Sequence, residues 1–491
     1  MTTQRSAWGS ISPLLIFSCS CLLVGDMLFG FDTSSFGGIL ANPGFINQFG
    51  SYHADTDKYA FTSSDTSIIS SIPFIGKFLG CLFAGPAIEK FGHRIVFILL
   101  SIVSFIGVIL EITAGDTGYG TGRFAQFLVG RIIVYISVGL VEVAVTTYQA
   151  EVVPAAFRGL VVISLQLFLA AGSLMGSGLN KAYSTSTNGV GWKTVTGIQL
   201  IFPAYEGRCD EEIRLIKETL RDQVHKGPWL DLFHGTNLRR TFLVFAFYFF
   251  QQATGQAFSS TYQTVFYKQE GYSSYQAFTY PIVTSVLGMI AVCPAMYMVD
   301  SVDRRGTLMI SYPLQALWLF LLAGLGAKPN KTETEKSTVA ASFMLFSFCY
   351  NMGSASIPYL LGSEIPNTAV RKKTQSLGAA WNVLWVFVTN YSIPYLIANL
   401  HFGVGWVFGG ISALTLMFTF FFLPETKGRA LEEIDALFAS ASNPFRPQNI
   451  QPSDTERRIG ELDGGKDFEE SVLTPYEDRH DGKNVSAYVK P

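Results

Sequence analysis

The chain is 491 residues long, 49% hydrophobic and only 15% charged, with a net charge of −2 and a mean hydropathy of +0.30. Soluble proteins carry about 25% charged residues, so this composition excludes an ordinary globular domain, and the near-neutral balance argues against a nucleic-acid partner. Apolar stretches recur along most of the sequence, which points to an integral membrane protein with many spans and not to a single anchor.

In chain order, a polar lead over 1–11, read as a cytoplasmic N-terminus, precedes apolar spans near 12–34, 66–88, 94–114, 124–146 and 159–180. A second series follows near 240–265, 277–299, 307–327, 337–361, 375–398 and 402–423. The first run is too long for a signal peptide and continues into Gly-Phe-Asp-Thr, so it reads as a retained helix. A twelfth candidate at 191–204 has an apolar part of about thirteen residues, or about 20 Å of helix against a hydrocarbon core near 30 Å. It looks too short. The expected fold is therefore an all-α membrane protein of two six-helix bundles, 12–204 and 238–438, with a truncated sixth helix. Between them, 205–237 is polar with helical periodicity and reads as a cytoplasmic amphipathic linker. Residues 439–491 are rich in Asp, Glu, Lys, Pro, Ser and Gly and read as a disordered cytoplasmic tail. The six cysteines lie mostly inside apolar runs, which favours packing over a disulfide or metal framework.

Loop charges orient the spans. With the N-terminus inside, the inner loops hold Lys90, Arg94, Arg158, a run from Arg208 to Arg240, Arg304, Arg305 and Arg371–Lys373. The outer loops are poorer in Lys and Arg, as the positive-inside rule requires. Asn330-Lys-Thr is a glycosylation sequon on the outer side.

Two charged motifs occur once in each half. Glu89-Lys-Phe-Gly92-His-Arg94 follows the second span, and Asp300-Ser-Val-Asp303-Arg304-Arg305 follows its counterpart. Glu151…Arg158 and Glu364…Arg371 each set an acid seven residues before an arginine, with a proline close behind the acid. Acid–base pairs at cytoplasmic helix ends can clasp helices in one conformation and release them in another, which suits alternating access by two rocking bundles.

With Gly30-Phe-Asp32-Thr33, Gly130-Arg131, Tyr148-Gln-Ala-Glu151, Arg158-Gly159, Gln251-Gln252-Ala-Thr-Gly255 and Pro424-Glu425-Thr-Lys-Gly-Arg429, these motifs resemble the sugar porter family of the major facilitator superfamily. The whole resembles fungal hexose and α-glucoside transporters, and the run from Glu364 to Ser376 looks most like the α-glucoside and oligosaccharide proton symporters among them. The resemblance implies a multi-pass, plasma-membrane, monomeric carrier of a sugar or oligosaccharide, working by alternating access and driven by protons. Asp32 is then the titrating acid of the first helix and Arg131 the base that favours its ionised form. Asp26 is an alternative titrating group. Glu142 stands where the family has a small or neutral residue, and is either a second proton site or an acid with no transport role. By position, Gln166, Gln251 and Gln252 match family sugar ligands, Asn382 falls where an amide is common, and Tyr262 and Tyr359 can supply aromatic faces.

Several residues depart from the hexose pattern. Ala257, Gly288, Ser173 and Ser356 replace asparagines, a glutamine and a proline, which favours a larger or less hydroxylated substrate than glucose. The chain also runs from Ile201-Phe-Pro-Ala-Tyr205 into the linker without the family's acid-containing motif. Alternatives are an exporter of a fungal secondary metabolite or a non-transporting sugar sensor. There is no Walker loop, metal-ligand cluster or nucleophile constellation, so neither an enzyme nor a cofactor is expected.

Overall fold

A computed structural model gives the fold and describes residues 27–53, 57–115, 121–152, 155–201, 229–301, 303–328, 331–367, 370–424 and 438. The first span appears as α1, over 27–39. Asn42 caps the short α2 (Pro43–Phe49) by accepting from the Gly44 and Phe45 amides, and a small hairpin, β1 (Ser51–His53) and β2 (Lys58–Ala60), follows. A reciprocal cap between Thr62 and Asp65 starts α3 (Ser63–Ser71), which feeds α4 (Pro73–Thr113). Helices α5 (Thr121–Val152), α6 (Ala155–Ala182) and α7 (Val190–Ile198) complete the described part of the first half.

The second half opens with a 3₁₀ turn (Trp229–Phe233) and α8 (Gly235–Ala253). Its first span is broken, because Gly255 at φ 100° ends α8 and leaves α9 (Gln256–Ser260) and α10 (Gln263–Gln269) as separate pieces. Then come α11 (Ser274–Ser301), α12 (Arg304–Gly326) and α13 (Glu333–Cys349). A π-turn (Tyr350–Ser354) interrupts the tenth span before α14 (Ile357–Glu364). Helices α15 (Arg371–Leu400) and α16 (Val404–Phe422) close the fold. Among the described residues six stretches are long and apolar enough to cross a membrane, the last covering both α15 and α16. On the second arm of α4, Ile95, Ile98, Leu99, Ile102, Ile106 and Ile109 are all exposed. Their helical spacing makes one apolar face, as a lipid-facing helix requires.

The duplicated motifs share a backbone feature as well as a spacing. Gly92 divides α4 into two arms at φ 78°, ψ 164°, and Asp303 caps α12 at φ 101°, ψ 157°. Each stands three residues after the acid of its motif. That region of backbone space is essentially glycine's, so Gly92 meets the turn without strain, whereas Asp303 bears a cost of about 1–3 kcal/mol. Asp303→Gly is expected to be more stable in detergent than Asp303→Ala by about 1 kcal/mol, since both lose the side chain and only glycine relieves the backbone, less its extra unfolded-state entropy. An equal or lower thermal midpoint for the glycine variant would contradict this.

The nine residues of α7 amount to about 14 Å of helix, and the chain beyond Ile201 lies outside the described residues. What is described is firmly seated. Trp192 is fully buried, donates from Nε1 to Gln48 Oε1 at 2.9 Å, and packs with Phe45, Phe49 and Phe127 at ring separations of 5.4 to 5.8 Å. Close helix approach depends on glycine at two places. A Cβ on Gly30 would sit 1.9 Å from the Leu169 carbonyl oxygen, and one on Gly37 would sit 2.3 Å from that of Thr261 in the other half. Small residues at such crossings let backbones meet directly.

The loop read as extracellular is described on both sides of Asn330, which itself lies outside the described residues. Thr332 and Glu335 form a reciprocal cap on α13. The adjacent Lys328 ammonium holds the Glu335 carboxyl below its ordinary range.

Candidate functional site

A cavity lies between the halves, lined by α1, α4 and α6 from the first and by α8–α11, α13–α15 and the π-turn from the second. It has ≈ 1020 Å³ of space not filled by atoms, its mouth included, which is ample for a small hydrophilic ligand. Gln166, Gln251, Gln252 and Tyr359 all stand on its wall.

The broken tenth span supplies the centre of the polar wall. Pro358 lacks an N–H and the π-turn disturbs the helical ladder, which leaves backbone carbonyls free to meet side chains. The Ala355 carbonyl accepts from Gln166 Nε2 at 3.2 Å and from Gln251 Nε2 at 2.7 Å, one glutamine from each half. Behind the wall, Asn382 donates from Nδ2 to Gln251 Oε1 at 2.8 Å and to the Tyr248 carbonyl at 3.0 Å. Its Oδ1 accepts from Gln252 Nε2 at 3.1 Å. Asn382 is thus buried outside the wall and orients both glutamines. Tyr262 is also off the wall: it is fully buried and donates to the Asn390 carbonyl at 2.8 Å. Gln252 Oε1 and Asn390 Oδ1 are buried and have no hydrogen-bond partner, although both residues line the cavity. Buried polar atoms are rarely left so.

Asp32 and Arg131 meet. Arg131 Nη2 lies 3.0 Å from Asp32 Oδ2 and 3.0 Å from the Tyr135 hydroxyl, and the guanidinium sits over the Phe36 ring at 3.6 Å. The second carboxylate oxygen of Asp32 accepts from Gln199 Nε2 at 2.8 Å, so the short sixth helix still reaches the pair. Glu111, buried on the second arm of α4, packs against Gly130 and lies within electrostatic reach of Arg131 and Asp32, its Oε1 without a partner. Asp26 lies outside the described residues.

Glu142 is engaged elsewhere. Its Oε2 pairs with Lys77 Nζ at 3.0 Å, and its Oε1 accepts from the Tyr359 hydroxyl of the other half at 2.9 Å.

Among the motif residues, Arg304 Nη2 lies 3.0 Å from Glu364 Oε1, and Nη1 donates to the Val299 carbonyl at 3.0 Å. Arg304 opens α12 and Glu364 closes α14. A cation at a helix N-terminus and an anion at a C-terminus each oppose the helix dipole, and their pairing removes both penalties. Arg305 donates to the Phe420 carbonyl at 2.7 Å, and Arg371 is the first residue of α15. The backbones of Glu89, Arg94, Glu151, Arg158 and Asp300 are helical, but their side chains lie outside the described set, as do Glu425 and Arg429 entirely.

Sequence reasoning missed Lys77, Glu111 and Gln199. Lys77 and Glu111 carried a usable signal, since each is an ionisable residue inside an apolar span and such residues are functional by default. Gln199 carried none, because only the fold reveals its approach to Asp32.

A family model described as "Sugar (and other) transporter" matches residues 18–206 and 205–438. The hexose transporter HXT8 of Saccharomyces cerevisiae is 25% identical, over 94% of this chain and 87% of its own. The low-affinity glucose transporter HXT1 of the same yeast is 27% identical, over 89% and 84%. Among solved structures, the proton:xylose symporter XylE bound to 6-bromo-6-deoxy-D-glucose superposes with a TM-score of 0.70 at 21% identity, covering 86% of this chain and 99% of that one; XylE comes from E. coli. That likeness shows the fold, two six-helix bundles of the major facilitator type. With nearly the whole span region matched and a polar cavity between the halves, the chain belongs to the sugar transporter family and is a multi-pass membrane protein.

Proposed function

We propose that this protein takes up a neutral sugar by alternating access and that protons drive the transport. The observation that carries the reading is the wall around Ala355. Amide donors from both halves converge there on one carbonyl, and Gln252 Oε1 and Asn390 Oδ1, on two residues of the same cavity, are left without a protein partner. Sugar hydroxyls both donate and accept, and fit such a wall. Cross-half contacts fall into two sets, Lys268 to the Ala41 carbonyl with Ser67 to the Tyr391 carbonyl, and Tyr359, on the cavity wall, to Glu142. Rocking bundles would break these two sets in turn.

On this reading Asp32 and Arg131 couple the proton, with Glu142 a second candidate, and Gln166, Gln251, Gln252 and Tyr359 hold the sugar. Asn382 positions two of those glutamines, and Tyr262 acts from behind the wall. The charged motifs from Glu89 to Arg94, Glu151 to Arg158, Asp300 to Arg305, Glu364 to Arg371 and Glu425 to Arg429 clasp the cytoplasmic ends. The linker 205–237 and tail 439–491 lie on that face, Asn330 is glycosylated outside, and the carrier works as a monomer in the plasma membrane. A hexose is the first substrate to test. An α-glucoside is the second, favoured by Ser173 and Gly288, two of the small replacements, which both stand on the cavity wall. The exporter and sensor alternatives gain no support from the site.

The test is uptake of labelled D-glucose in a transporter-null yeast, with maltose as competitor and with external pH recorded. Acid medium should raise the accumulation ratio, a protonophore should collapse it, and the medium should alkalinise as sugar enters. Uptake that only equilibrates, indifferent to the protonophore, would exclude proton coupling and leave a facilitator.

A further inference from the structure

We propose that Lys77 is a substrate-contacting residue that sets specificity, its ammonium donating to a hydroxyl of a neutral sugar. The proposal rests on the sugar reading above and extends it to a charge pair that meets Tyr359, four residues along the chain from Ala355.

An ammonium inside a membrane span is costly and needs a reason. Lys77 is buried to 2% exposure on the first arm of α4, yet it lines the cavity. Its Nζ has three N–H groups. The carboxylate of Glu142 takes one at 3.0 Å, and the Phe29 ring, 3.8 Å away and itself on the cavity wall, faces the cation. One donor is left for the cavity. Glu142 is set back from the wall and held from two further sides, by the Tyr359 hydroxyl and, at 3.9 Å, by the Cys81 thiol. While ionised, it fixes the ammonium in place and cancels its charge. The pair is therefore a neutral, strongly polar donor, suited to a hydroxyl and unsuited to a carboxylate, which would lie close to Glu142. Because Tyr359 comes from the second half, a sugar that engages Lys77 also bears on a contact that ties the two halves together.

A merely structural pair would behave differently on substitution. Buried ion pairs can be replaced by uncharged residues of similar size without loss of stability, provided both charges go together. Lysine-to-arginine keeps the charge but changes the reach and direction of the donors. Binding of D-glucose, D-xylose, maltose and D-glucuronate to the purified full-length protein should be measured by calorimetry for wild type, Lys77→Arg and Lys77→Met/Glu142→Gln, with the thermal midpoint recorded for each. Wild type should bind at least one neutral sugar, and glucuronate more weakly than glucose. Lys77→Arg should keep its thermal midpoint and lose several-fold in affinity. The double variant should fold and lose about tenfold or more, the worth of one charge-assisted hydrogen bond. If both variants bind as wild type does, the pair is a strut and the proposal fails. Tighter binding of glucuronate than of glucose would also overturn it, since Lys77 would then act as an uncompensated cation. A wild-type protein that binds none of the neutral sugars overturns the sugar reading itself, and this assignment with it.

Discussion

Arg131→Met is expected to abolish sugar uptake and to destabilise the protein by about 3–5 kcal/mol, the usual consequence of leaving one member of a buried ion pair uncompensated. Asp32 is fully buried, and without the guanidinium at 3.0 Å its charge is met by neutral groups alone, the Gln199 amide and the Tyr135 hydroxyl. The informative comparison is Asp32→Asn/Arg131→Met. Removing both charges leaves no ion stranded, so membrane abundance and thermal midpoint should recover most of what the single variant loses. Transport should recover only in part: the double variant should equilibrate sugar and no longer concentrate it. Abundance, thermal midpoint and the steady-state accumulation ratio of labelled glucose separate these effects. A double variant that still concentrates sugar would exclude Asp32 and Arg131 as the coupling pair and direct attention to Glu142 and Glu111.

The architecture was legible because membrane spans announce themselves through length and apolarity, and because the charged motifs repeat at matched spacing. The repeat proved to be more than a spacing, since Gly92 and Asp303 adopt the same rare backbone conformation. The Asp32–Arg131 pair was legible through the family resemblance, which implies both positions and their pairing. Short-range sequence reading cannot deliver the identity of partners that are far apart in the chain. Glu142 was visible as an oddity, but its meaning depends on Lys77, which lies far earlier in the chain and on another helix. Asn382 and Tyr262 were chosen by position. Position alone does not say whether a buried polar group faces the cavity or stands one layer behind it. The sixth helix shows the same limit from the other side. Its shortness was read from hydropathy, whereas its anchorage by Trp192 and its contact with Asp32 through Gln199 emerge only in three dimensions.

Gln251→Leu is the second substitution with a large expected effect, because Gln251 stands where the wall and its support meet. The leucine has nearly the same bulk and no hydrogen-bonding capacity. The scaffold keeps a partner for most groups that Gln251 served: the Ala355 carbonyl retains Gln166, and Asn382 Nδ2 retains the Tyr248 carbonyl. The stability cost should therefore stay within about 1–2 kcal/mol. The sugar, by contrast, loses a group able to donate and accept at once, and the KM for uptake should rise by about 100-fold. Maximal velocity should change little, since an interaction made equally throughout the cycle affects binding and not turnover. Asn382→Leu should show the opposite balance. It removes the group that orients both Gln251 and Gln252, so stability should fall further while KM rises less. Should Asn382→Leu instead raise KM as strongly as Gln251→Leu at unchanged stability, Asn382 would have to touch the sugar itself, and the layered arrangement of wall and support would be wrong.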